Sequence, residues 1–174
     1  MSVRQIESNE NSNDCCSFYL VHADIKPDNM ILVNNVVKVT DLGLAFRLAS
    51  SRQGVQRTGI RGTLGKINIE LLLPFEIVFL FLDYMAPEIF AHQTGFKSDV
   101  WSAGIILYEM TYGRPPYFDI IDRNQKVAAI SSRTPISFPP VSNRQLLDCM
   151  NICLQSDMYR RANARQLRVH PYSR

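Results

Sequence analysis

The sequence is poor in the features that would set it apart from an ordinary globular domain. Cysteine occurs only four times in 174 residues. Cys15 and Cys16 are adjacent in a polar stretch, and Cys149 and Cys153 stand four apart, on one helix face. This is no disulfide framework. It also lacks the paired short spacings of a zinc site, so Cys149 and Cys153 read as a reduced, buried pair. Charge of one sign is lacking too: 19 Lys and Arg against 16 Asp and Glu leave +3, and the basic residues are dispersed. That argues against a nucleic-acid or anionic-membrane partner. No charged-then-apolar leader follows Met1, which points to a reducing, intracellular setting, with cytoplasm and nucleus both open. No clean apolar run reaches the roughly 18 residues of a membrane span, and no internal repeat is found.

What is present suffices for one domain with a real core: apolar residues make up 46% of the chain. Residues 1–17, rich in Ser, Asn and Glu without apolar periodicity, are expected to be a disordered tail, with order beginning near Phe18. Met30-Ile31-Leu32-Val33 and Val36-Val37-Lys38-Val39 are strand-like runs around Asn34-Asn35, a dipeptide suited to a tight hairpin turn. Pairing Val33 with Val36 and Met30 with Val39 brings Asn29 and Thr40-Asp41 together at the hairpin's open end. Residues 42–65 are expected to be a polar surface loop. The rest reads as helical. A buried central helix starts at Ser98-Asp99 and ends at Gly113, and shorter helices are expected over 122–131, 142–154 and 163–168.

The segment His22-Ala23-Asp24-Ile25-Lys26-Pro27-Asp28-Asn29, with Asp41-Leu42-Gly43 beginning twelve residues after Asn29, carries the chemistry. Phosphoryl transfer proceeds through a loose transition state, so catalysis needs positioning and counter-charge more than covalent bonding. A carboxylate to orient a hydroxyl, an amine to offset phosphate charge, and oxygen ligands for Mg²⁺ are all here. The pattern HxD-x-K-P-x-N followed by D-L-G resembles the catalytic and metal-binding loops of eukaryotic protein kinases. The resemblance implies Asp24 as catalytic base, Lys26 as the γ-phosphate contact, and Asn29 and Asp41 as Mg²⁺ ligands, so that Lys26, Asn29 and Asp41 would hold Mg²⁺ and ATP. Lys26-Pro27 implies a Ser or Thr acceptor. His22 is given no chemistry, and Leu42 stands where Phe is more usual.

Further along, Gly62-Thr63 resembles the family's substrate-facing loop, with Thr63 implied to bond the catalytic Asp and Lys. Ala86-Pro87-Glu88 resembles the end of its activation segment, which implies a buried ion pair between Glu88 and Arg161. Asp99 is implied to brace the catalytic-loop backbone. Ala23 replaces the Arg that many kinases use to grip a phosphorylated loop, leaving Ser50, Ser51 or Thr58 to act, if phosphorylated, through other contacts. Together with KSDVWSAGIILYEMTYGRPPYF and CLQSDMYRR, these marks are most similar to the monopolar-spindle checkpoint kinases over about residues 19–172. The implied function is ATP- and Mg²⁺-dependent phosphorylation of a protein substrate, in spindle-checkpoint signalling.

Two departures shape the expected architecture. No Gly-rich loop and no Val-Ala-x-Lys precede Asp24. The expected fold is therefore a kinase C-terminal lobe, mainly α-helical with a small β-hairpin at the catalytic loop, spanning 18–172 with the N-terminal lobe absent. On that expectation the chain alone is inactive, and the rival role is a binding or competing module. The second departure is residues 66–83, an anomalous apolar insert containing Ile-Val-Phe-Leu-Phe-Leu. Its in-frame length, its many residues with A/T-rich codons and ends whose codons could contain splice sites read as an unspliced intron, with a lineage-specific insertion as the alternative. Excision leaves Leu64 followed directly by an Asp, then Tyr84 and Ala86-Pro87-Glu88.

Overall fold

A computed structural model of the chain describes residues 18–49, 55–56 and 82–174. The expected tail at 1–17, Thr63, the three hydroxyl positions Ser50, Ser51 and Thr58, and residues 66–81 lie outside the described residues.

Among the described residues, six strands and four α-helices follow one another. Strands β1 (Phe18–Val21) and β4 (Phe46–Ala49) pair antiparallel, Phe18 against Ala49 and Val21 against Phe46. Between them, β2 (Met30–Val33) and β3 (Val36–Val39) form the hairpin, Met30 against Val39 and Val33 against Val36. Asn34 and Asn35 both have positive φ, 51° and 59°, the conformation a two-residue turn needs to match strand twist. The short β5 (Val55–Gln56) pairs with β6 (Gln93–Thr94).

The two paired sheets ahead of the helices correct the expected fold class. The chain is not only a mainly helical C-terminal lobe with one hairpin: its N-terminal part is a strand-rich portion, β1–β4, of the kind expected of the N-terminal lobe. Phe46–Ala49 falls within the polar stretch 42–65 expected to be loop; the run is only four residues long, contains Arg47, and has its partner 25 or more residues away. Short strands with distant partners carry almost no local signal.

Helix α1 (Phe96–Tyr112) is the central element, followed by α2 (Arg123–Ser131), α3 (Arg144–Cys153) and α4 (Ala164–Arg168). It begins two residues before the expected start. Ser98 is not the cap but the third helical residue, and its Oγ accepts the Gly95 N–H at 3.2 Å. Gly113 ends the helix at φ +80°, where a side chain would be strained. Asp122, Asn143 and Asn163 cap α2, α3 and α4 by accepting backbone N–H groups three residues on.

Val100, Trp101, Ile105 and Tyr108 of α1 pack with Cys149, Met150, Cys153 and Leu154 from α3 and its end to form the core. Gly104 lets the two helices meet: a Cβ there would stand 2.7 Å from the Cys153 Cβ. Cys149 and Cys153 are buried and free. Among the described residues no helix is long and apolar enough to cross a membrane.

Candidate active site

The site is built on the turn between β1 and β2. The chain leaves β1 at Val21, and Ala23 adopts φ +65°, a left-handed conformation uncommon outside Gly, Asn and Asp. This strained turn is held from below by Asp99, in the first turn of α1. The His22 N–H donates to Asp99 Oδ2 at 2.8 Å, and the Ala23 N–H donates to Oδ1 at 2.9 Å. Burial pushes the Asp99 carboxyl up to about 6, although these two amides and His22 pull it down. The His22 ring spans the other direction, its Nε2 2.9 Å from the Thr40 carbonyl oxygen beyond β3.

With the turn fixed, Asp24, Lys26 and Asn29 converge. Lys26 Nζ lies 3.2 Å from Asp24 Oδ2. The Asn29 amide donates to the Asp24 carbonyl at 2.8 Å and to its Oδ2 at 3.0 Å. Pro27–Asn29 form a single 3₁₀ turn that delivers Asn29 straight into β2, and the Thr40 N–H donates to the Asn29 carbonyl at 2.9 Å. Asp41, next along the chain, therefore stands at the hairpin's open end. It has φ +58°, and its Oδ1 accepts the Gly43 N–H at 3.0 Å.

The oxygen donors suit a hard cation. Because the Asn29 NH₂ is engaged with Asp24, the amide oxygen is its remaining polar atom, and Asp41 keeps Oδ2 beyond its turn bond. Among the described residues no three His, Cys, Asp or Glu side chains form a self-sufficient metal cage. A few protein oxygens plus substrate phosphates is how Mg²⁺ is usually held at phosphoryl-transfer sites.

A second polar cluster lies behind the site. Arg161, 1% exposed, donates from both terminal nitrogens to Glu88, at 2.7 and 2.9 Å, and its Nε donates to the Gln155 carbonyl. Its guanidinium also lies 5.0 Å from the Trp101 ring centroid. Ser98 Oγ donates to Glu88 Oε1 at 2.9 Å.

The sequence reading missed the residues just ahead of Ala86-Pro87-Glu88. Leu82 and Asp83, placed there at the end of the insert, are buried at 2% and 5% exposure. Asp83 Oδ1 pairs with Lys126 Nζ of α2 at 2.7 Å. Burial raises the Asp83 pKa, opposed by Lys126. Tyr84 donates its hydroxyl to Glu109 Oε2 at 2.6 Å, and its carbonyl accepts from Ser102 Oγ at 2.7 Å. Nothing in the periodicity of α2 marks Lys126 as inward-facing, and its partner is 43 residues away.

Asp24, Lys26 and Asn29 thus meet on the turn between β1 and β2, and Asp41 stands beyond β3 at the open end of the hairpin. The protein kinase domain family model matches residues 13–173, and the chain belongs to that family. Nearly the whole chain is covered, so the restriction to a C-terminal lobe falls, and with it the inactivity argued from a missing N-terminal lobe.

The chain is 31% identical over 166 residues to the dual specificity protein kinase TTK of Mus musculus, covering 88% of this chain and 17% of that protein. It is also 31% identical to the serine/threonine-protein kinase mph1 of Schizosaccharomyces pombe, covering 88% of this chain and 24% of that protein. With the serine/threonine-protein kinase pakA of Dictyostelium discoideum it shares 31% identity, over 89% of this chain and 12% of that protein. The chain thus spans less than a quarter of the length of these relatives.

Proposed function

We propose that the protein transfers the γ-phosphoryl group of ATP to Ser or Thr hydroxyls of protein substrates, as a kinase of the monopolar-spindle checkpoint group. The observation that carries this reading is the convergence of Lys26 and Asn29 on one carboxylate oxygen of Asp24. Asp24 orients the acceptor hydroxyl and takes its proton as the oxygen attacks phosphorus. The bond from the γ-phosphorus to the bridging oxygen breaks, and ADP leaves. Lys26 offsets charge on the moving group. Asn29 and Asp41 present oxygens to Mg²⁺, which would neutralise the phosphates when bound.

The acceptor class rests on Lys26-Pro27, which resembles the Ser/Thr kinases, with the Lys26 ammonium standing beside Asp24. Checkpoint signalling rests on the resemblance of KSDVWSAGIILYEMTYGRPPYF and CLQSDMYRR to the monopolar-spindle checkpoint kinases.

Transfer of labelled γ-phosphate to a library of Ser-, Thr- and Tyr-containing peptides tests the reading. Asp24→Asn should lower kcat by roughly 10²–10⁴-fold, the usual contribution of a general base. Asp41→Ala should remove the Mg²⁺ dependence of ATP binding. Transfer that is absent from the wild-type chain, or untouched in both variants, would overturn it.

A further inference from the structure

We propose that residues 159–174 form a docking surface for an acidic polypeptide segment, whose Asp and Glu carboxylates are taken by Arg160, Arg165, Arg168 and Arg174. The inference does not depend on the kinase reading, because it concerns binding and not transfer.

The first observation is a segregation of charge. Along most of the chain the basic residues are dispersed, but residues 158–174 hold five arginines and no Asp or Glu. The rest of the chain carries 14 basic side chains against 16 acidic ones. Arg161 is spent internally on Glu88. The other four arginines are exposed. Among the described residues Arg165, Arg168 and Arg174 have no carboxylate within ion-pair distance, and Arg160 has only Asp157, at 3.8 Å.

The second observation is that the segment is anchored from one side. Leu167 packs against the core, and the Nε2 of buried His170 lies 3.0 Å from Asp148 Oδ2 of α3. The His170 Nδ1 accepts the Tyr172 N–H at 3.2 Å. Reciprocal bonds between Asn163 and Gln166 fix the start of α4. At 3.6 residues per turn, Arg165 and Arg168 stand about 60° apart on α4, both turned away from Leu167. Turn bonds from the His170 N–H to the Leu167 carbonyl and from the Ser173 N–H to the His170 carbonyl keep the segment compact as far as Arg174. The arginines thus project from a backbone that is already held, and a partner need order only their side chains.

The chemistry of the surface selects the partner. Arginine presents a planar fork that takes a carboxylate through two parallel hydrogen bonds. Tyr159, Val169 and Tyr172 are exposed among the arginines and offer apolar contact. A short acidic segment with interspersed apolar side chains meets both features. A nucleic acid or an anionic membrane extends past four charges and would face the remainder of the molecule, where acids outnumber bases.

A fluorescein-labelled peptide of the repeat Glu-Glu-Leu is the probe, the repeat Gln-Gln-Leu is its neutral counterpart, and binding to the full chain is read by fluorescence anisotropy. The wild type should bind the acidic probe about tenfold or more tightly than the neutral one. That preference should shrink as salt rises. Arg165→Gln/Arg168→Gln should lower affinity for the acidic probe by about tenfold, with the melting temperature little changed, since neither side chain has a carboxylate partner to lose. Lys38→Gln/Arg133→Gln removes the same charge from exposed positions outside the segment and should bind as the wild type does. Equal losses in the two double variants would reduce the effect to net charge and overturn the inference. So would failure of the wild type to prefer the acidic probe, or tighter binding to oligouridylate or to phosphatidylserine vesicles. None of these outcomes bears on phosphate transfer, by which the kinase reading is judged.

Discussion

Asp99 is where the physical chemistry of the site is most exposed to measurement. It holds the catalytic turn by accepting two amide N–H bonds, yet burial costs its charge more than those bonds return, and the pKa stands at about 6. For a carboxyl raised above its unfolded value of 3.8, the folded state binds the extra proton. The Asp99 contribution to stability is then fully present below pH 4, is lost as pH rises through about 6, and is flat above. Denaturant titrations from pH 4 to 8 should show this decline in the wild type. Asp99→Asn should be less stable and lack that part of the slope, because Asn cannot accept both amides. A variant with the wild-type slope would assign it to other carboxyls, of which Asp83 is also raised by burial. At this scale the sequence was informative for the motif directly, and for the Asp99 support only through the resemblance. Asp24, Lys26 and Asn29 lie within six residues, whereas the Asp99 amide partners lie 76 and 77 residues away.

Among the elements, legibility follows the range of the interactions. The hairpin register could be read because Asn34-Asn35 dictates the turn locally. The ends of α1 were read to within two residues from Ser98, Asp99 and Gly113. The β1–β4 pairing was not, since neither four-residue strand announces a partner. Helix packing was equally hidden. Gly104 lies mid-helix, where Gly usually costs helix stability, and only the approach of α3 explains it. Gly104→Ala should favour α1 intrinsically but force its methyl into Cys153 Cβ and Leu154, at 2.7 and 3.0 Å. Overpacking should win, with a net loss of about 1–3 kcal/mol in thermal or denaturant unfolding. A more stable variant would mean that α3 moves away at little cost.

For the whole molecule, the buried Leu82-Asp83 pair bears on the insert. Excising residues 65–82 leaves Leu64-Asp83-Tyr84 in place of Leu82-Asp83-Tyr84, so another leucine inherits the position next to Asp83. The shortened chain should keep the Lys126–Asp83 pair and melt no lower than the full one, since a shorter connection costs slightly less entropy to close. Scanning calorimetry of the two chains decides this, and a shortened chain that fails to fold would make the eighteen residues an integral part of the domain.

The same long ties set an order of events. His22 and Ala23 leave the ribosome 77 and 76 residues ahead of Asp99, an interval of about 4–15 s at ordinary elongation rates. Glu88 likewise waits 73 residues for Arg161. Until Asp99 emerges, the catalytic turn lacks the two amide bonds that hold Ala23 in its left-handed conformation. The motif that is earliest in the chain is thus among the last parts to take shape, and refolding should be slow for a chain of this size, as it is wherever sequence-distant contacts dominate.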